Sequence, residues 1–431
     1  MLELEYPFYF TWVKQSNPLR LSVQSVDGVK IYTEHGHELI DLSSISYQAS
    51  FGHNHPTIIK SIKKQLDRIP MSAPKAIFPL KTKVTNNLLK YMGKPDGKIF
   101  YTTGGAETVE NALKIARDIT KKKIILARQV SYHGATQGAL CATGDWRNQA
   151  HKLPENWVLR IPEPNEENAI EKTRQIILQA GPENVAAFIL ETITGGNGVW
   201  EGSKKWWDGI KKLCKEFGIL LILDEVVCGF GRTGLPFGYM HYNLKPDMIC
   251  MSKGITGGMI PFGALWTKDY IHHYYMDNVL ACGLTNYAHP IGLAALKGVL
   301  EICQSEKFQT HLEKICQVFK KELENLKHHP GVKTIRYKGM LAAVELDVGI
   351  EFKIFQDQGL YLASQNKQII LAPPLIIKER ELIEAIRRFK KAVDYCIIKQ
   401  ELIPPKKKKT SPHTTTSKKV VSSKNAKKGH A

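Results

Sequence analysis

No C-x-x-C pair occurs among the eight cysteines of the 431-residue chain, which are scattered at 141, 214, 228, 250, 282, 303, 316 and 396. Neither a disulfide framework nor a cysteine zinc site is indicated, and a reducing cytoplasm fits best. No apolar run approaches the roughly 18 to 20 residues that a membrane span needs. The start MLELEYPFYFTWVK also lacks the basic and apolar regions of a secretory signal, which disfavours export. The histidine pairs at 35/37, 53/55 and 272/273 have no carboxylate or cysteine set to complete a ligand geometry, so no metal is expected. The segment from Pro404 to Ala431 lacks acid altogether and carries nine lysines, about half of the formal net charge of +19. Its low complexity predicts disorder. No aromatic interleaving accompanies those lysines, so a solubilising or merely tolerated tail is expected in preference to a nucleic-acid or lipid-binding one.

The chain as a whole is apolar enough, at 43% hydrophobic residues, to bury a sizeable core, and its length suggests two or more packed units. KKIILAR (122–128), VAAFIL (185–190), GILLILD (218–224) and DMICMS (247–252) are continuously apolar, as parallel strands covered on both faces should be. They alternate with helix-periodic stretches, which predicts an α/β sheet. Val109, Ala112, Leu113 and Ala116 form one stripe of a helix spanning Ala106 to Ile119. Residues 27–42 alternate like antiparallel strands. From about 288 the chain changes to charged helical stretches with a β-like VKTIRYKGMLAAVEL (332–346) and a proline-marked IILAPPLII (369–377). The expected division is an N-terminal arm or part of the small domain (1–50), a large α/β domain (51–295), a smaller α+β domain (296–403) and the lysine tail (404–431).

Ligands of open α/β sheets collect beyond the carboxyl ends of the strands. Three such ends carry chemistry. Lys253 follows DMICMS, where an apolar setting would favour the neutral amine that forms Schiff bases. Asp224 ends GILLILD and could keep a pyridinium nitrogen protonated. IFYTTGGAE turns through Gly104-Gly105 into a helix, so the N–H groups of Gly105 and Ala106 could cradle a phosphate dianion. Each has a bland reading as a turn, a cap or a solvated lysine; their joint order describes a pyridoxal phosphate site.

The stretches FGHNHP (51–56), TGGAETVENALKIAR (103–117), SYHGAT (131–136), LLILDEVVCGFGRTG (220–234), MSKGITGGMIPFGAL (251–265), GLTNYAHPIGLAAL (283–296) and LAPPLII (371–377) carry a wider resemblance. Over roughly residues 20–400 the chain resembles a class III (ω-type, subgroup II) aminotransferase of pyridoxal phosphate fold type I. That likeness implies a large domain with a mostly parallel sheet plus a smaller α+β domain. It implies that Lys253 holds pyridoxal 5'-phosphate as an internal aldimine and later shuttles the substrate proton. It further assigns Asp224 to the pyridine nitrogen, Tyr132 to one ring face and Val226 to the other, with His133 near the cofactor or positioning that loop. Gly105, Ala106 and, from the partner subunit of a homodimer, Thr285 would hold the phosphate.

The departures from the family narrow the substrate. Ile370 stands where many relatives have the arginine that holds an α-carboxylate. Ala135 stands where relatives acting on distal carboxylates often have another. Gly196 falls at the family's switch glutamate, and Val227 replaces a glutamine that reaches the ring oxygen. Losing the arginine and its switch partner together is electrostatically coherent, since either alone would be a buried unpaired charge. The expected reaction moves an amino group from an amine or ω-amino compound to a 2-oxo acid, pyruvate first, as in the taurine, β-alanine or amine:pyruvate subgroup. An aminomutase, decarboxylase or phospholyase on the same scaffold, or a noncatalytic basic scaffold, are the alternatives. Tyr47 and Trp12 are candidates for lining the substrate pocket or, equally, for packing the arm on the core. Arg232 is read as structural support for the Asp224 loop.

Overall fold

The computed structural model describes residues 6–151, 156–363 and 366–401; the predicted tail at 404–431 lies outside the described residues. Its centre is a seven-stranded sheet of β4 (Lys98–Thr102), β5 (Ile124–Arg128), β6 (Val158–Ile161), β7 (Val185–Glu191), β8 (Leu220–Asp224), β9 (Met248–Met251) and β10 (Gly263–Thr267). The spatial order is β4-β10-β9-β8-β7-β5-β6. Every pair among β9, β8, β7, β5 and β6 is parallel, whereas β10 runs antiparallel to both of its neighbours. The four apolar runs read from the sequence are all central strands, and β7 is buried at each of its seven positions. Helices on both faces demand this, because neither side of such a strand meets water. The helix Gly105–Thr120 buries Val109, Ala112, Leu113 and Ala116 against one face, as its periodicity predicts.

Two smaller sheets flank this core. Residues β1 (Val23–Asp27), β2 (Lys30–Thr33) and β3 (Glu38–Asp41) form an antiparallel meander, and β13 (Leu360–Tyr361) adds to it in parallel with β3. The stretch 332–346 resolves into a hairpin of β11 (Val332–Lys338) and β12 (Leu341–Ile350), with β14 (Asn366–Leu371) pairing on the far side. Gly339 makes that turn at φ 56°, and a Cβ there would sit 2.2 Å from the carbonyl carbon of Thr233. Only glycine permits so close a backbone approach. Beyond Leu371, Pro373 and Pro374 end the ladder. Among the described residues no helix is long and apolar enough to cross a membrane.

Candidate active site

The strands β4, β5, β7, β8 and β9 share one direction, so their carboxyl ends open on the same edge of the sheet. Each end delivers a polar group. Asp224 closes β8 and lies in register beside Glu191 at the end of β7. Asp224 Oδ1 accepts the Val226 N–H at 3.0 Å, and its Oδ2 lies 2.8 Å from His133 Nδ1. With the carboxylate ionised, His133 Nδ1–H is the donor. Nε2 of this buried ring has no hydrogen-bond partner. The histidine thus orients the acid.

Lys253 follows β9 in the left-handed region at φ 48°. A non-glycine residue held there stores of order 1 to 3 kcal/mol, a cost that recurs at functional sites. Its Nζ stands 5.1 Å from the centroid of the Tyr47 ring. Burial lowers the lysine pKa, while the carboxylates of Asp224 and Glu191 pull it back up. The amine is therefore closer to its neutral, nucleophilic form than a surface lysine.

The helix Gly105–Thr120 begins at the same edge, and its first-turn N–H groups have no intrahelical acceptor. A Cβ on Gly105 would meet Val226 at 3.1 Å and Ser252 at 3.5 Å, so the helix start packs directly against the residues that follow β8 and β9. A Cβ on Gly104 would meet nothing within 4 Å. Gly134, at φ 138°, leaves no room for a Cβ against Ala106 and locks the Tyr132-His133 loop to the helix start. Open space beside unpaired helical N–H groups, with an acid and an amine in reach, suits a group carrying a phosphate dianion, a basic ring nitrogen and an aldehyde. Pyridoxal phosphate is such a group.

Two predicted residues stand differently. Thr285 is exposed in the loop preceding the helix Pro290–Cys303. Trp12 is 46% exposed and meets Trp146 edge to face at 5.8 Å. Tyr47, by contrast, reaches the lysine from an unusual turn: Ser44, Ile45, Ser46 and Tyr47 all have positive φ, between 42° and 72°. Such a run costs roughly 1 to 2 kcal/mol per residue. The Asp41 carboxylate offsets it by accepting the N–H groups of Ser43 and Ile45 at 2.7 and 3.0 Å.

Arg232 completes the clamp. It is fully buried and donates to the carbonyls of Met340 and Pro373 and to the hydroxyls of Ser44 and Ser50. Its role is structural, yet it ties the Tyr47 turn to the segment after β14 and to the β11–β12 turn instead of bracing Asp224. Burial pushes its pKa down to about 10, against the opposing pull of the Asp41 carboxylate. Arg232→Ala should strand four buried polar groups and lower stability by at least about 3 kcal/mol, read as a shifted urea midpoint.

Sequence reasoning missed Glu191 and Arg147. Glu191 is buried and accepts the N–H groups of Tyr132 and Gly195, each at 3.0 Å; burial raises its pKa. Its signal was the one that marked Asp224, a carboxylate ending a buried strand. Arg147 lies in a short helix, Trp146–His151, with its guanidinium 4.5 Å from the centroid of Tyr132. Ile370, by contrast, is packed with Ile193, Val199, Leu341 and Ala343 in an apolar cluster bordered by Tyr47 and Val227. Position 370 thus carries an apolar side chain within an apolar cluster. At Gly196 a Cβ would come within 3.4 Å of the Tyr47 hydroxyl.

Comparison with known proteins agrees with this geometry. The family described as Aminotransferase class-III matches residues 11–393. An acetylornithine aminotransferase of Aquifex aeolicus is 30% identical over 86% of this chain and 97% of its own length. An omega-aminotransferase of Caulobacter vibrioides is 28% identical over 86% and 94%. Among solved structures, taurine:2-oxoglutarate aminotransferase from Bifidobacterium kashiwanohense, in complex with PLP and glutamate, superposes with a TM-score of 0.85. It is 29% identical and the match covers 90% of this chain and 95% of that one. With lysine, acid and helix start converging on one sheet edge, and with nearly its whole length matched, the chain belongs to the class III aminotransferases.

Proposed function

We propose that this enzyme moves an amino group from an amine or ω-amino compound to a 2-oxo acid, pyruvate first among acceptors, with Lys253 as its catalytic base. Class III aminotransferases use pyridoxal phosphate. Bound here, that group supplies an aldehyde for amine exchange and a ring that takes up the electron pair released at the substrate carbon.

The chain's own residues do the rest. The N–H groups of Gly105 and Ala106 hold the phosphate, with Thr285 of a second subunit closing the cradle in a homodimer. Tyr132 and Val226 flank the ring. Asp224, oriented by His133, keeps the ring nitrogen protonated by charge pairing. Lys253 Nζ tethers the cofactor and, once displaced, takes the proton from the nitrogen-bearing substrate carbon and returns it on the cofactor side. Tyr47, held above the lysine by its strained turn, closes that side of the pocket and excludes water. The division at 50, 295 and 403 is retained as part of this proposal, with the small sheets carrying the pocket wall formed by Tyr47 and Ile370.

The carrying observation is the apolar cluster of Ile370 and Val227 bordered by Tyr47, where relatives place a carboxylate-binding arginine. An amine with an uncharged substituent fits such a wall; an α-carboxylate there would be desolvated without a partner. Amine donors should therefore convert the bound cofactor from its aldehyde to its amine absorbance without any oxo acid, and pyruvate should restore the first spectrum. Product release with no spectral conversion would identify a lyase or decarboxylase instead.

A further inference from the structure

The aminotransferase reading leaves the acceptor's carboxylate without a partner at Ile370 or Ala135. Arg147 has the features of a replacement. Its guanidinium lies 4.5 Å from the centroid of Tyr132, 5.2 Å from that of Trp146 and 5.3 Å from that of Trp12. Three rings strip water from its faces and leave its planar edges for hydrogen bonding. Nη1 pairs with Asp145, whose other oxygen accepts the Arg147 backbone N–H at 2.9 Å. Nε is buried without a hydrogen-bond partner, and Nη2 has none among the described residues. Nε and Nη2 form the edge that a carboxylate bridges with two parallel hydrogen bonds. A buried Nε–H without a partner is costly unless a ligand completes it.

We infer that the Nε–Nη2 edge of Arg147 grips the carboxylate of the 2-oxo acid, with Asp145 as its resident counter-ion. The inference rests on the transaminase reading and supplies its acceptor site. Tyr132 links this cation to the cofactor pocket, and the positive charge of Arg147 is among the influences that lower the pKa of Lys253. Asp145 is also contacted at 3.4 Å by the side-chain amide of Asn197, neighbour of the Gly196 that replaces the switch glutamate. An uncharged donor leaves Asp145 balancing Arg147; a carboxylate adds a second anion on the open edge. One pocket can then serve both half-reactions without a swinging arginine.

Protein loaded with pyridoxal phosphate should be assayed with pyruvate and with propanal, a neutral acceptor of similar size. Arg147→Met should lower the ratio of kcat/KM for pyruvate over propanal by about 10- to 100-fold, the worth of a charged hydrogen-bonded pair. Arg147→Lys, which keeps charge but not the fork, should fall between, and it carries the test should the methionine variant not fold. Propionate should quench the fluorescence of Trp12 and Trp146 in the loaded wild type and not in Arg147→Met. Asp145→Asn should lower the KM for pyruvate. An unchanged acceptor ratio, or a defect confined to the half-reaction with β-alanine, would overturn the inference. A wild type that no amine donor converts would instead defeat the transaminase reading.

Discussion

Lys253→Ala should lower transamination by at least ~10⁴-fold, because both the tether and the proton-transfer base are lost at once. The variant should fold, since alanine meets the left-handed φ of 48° at no greater cost than lysine. Pyridoxal phosphate should still enter, held by the helix start, but wash out on gel filtration where the wild type keeps it. A small exogenous amine should restore part of the proton transfer and none of the retention. A variant that keeps more than a hundredth of the wild-type rate would place the base elsewhere.

Asp224→Asn should cost ~10²–10³-fold in turnover, the usual scale for removing one fixed charge that acts as the transition state develops. The amide preserves shape but cannot hold a proton on the ring nitrogen, and His133 Nδ1 loses its anionic acceptor at 2.8 Å. A second effect has a definite sign. Asp224 is the largest influence raising the Lys253 pKa against burial, so its neutralisation leaves that pKa lower still. The rate at which the cofactor-free enzyme captures pyridoxal phosphate depends on neutral amine, and its acidic limb should move to lower pH in the variant. A limb that stayed where it was would mean that Asp224 is not electrostatically coupled to Lys253.

Much of this site was legible in one dimension. A strand buried on both faces must be apolar throughout, so Asp224 and Lys253 stood out as charges placed where such runs end. The glycine pair before the helix stripe marked a candidate phosphate cradle by the same reasoning, and the structure packs Gly105 against Val226 and Ser252. What the chain did not display were features made by assembly. The antiparallel insertion of β10 between β4 and β9 leaves no periodicity of its own. Arg147 sits in a six-residue helix, and its cage draws on Trp12 and Tyr132, separated from each other by more than a quarter of the chain. The left-handed turn at Ser44–Tyr47 contains no glycine to announce it; it exists because Asp41, Arg232 and the carbonyl of Ala372 hold it from outside.

The assignment is tested most directly by adding pyridoxal phosphate to the purified chain, reducing with borohydride and mapping the modified peptide. The account predicts one cofactor fixed per chain, on Lys253, with labelling weakened in Asp224→Asn. Label spread over surface lysines, or lodged on another single lysine, would contradict it.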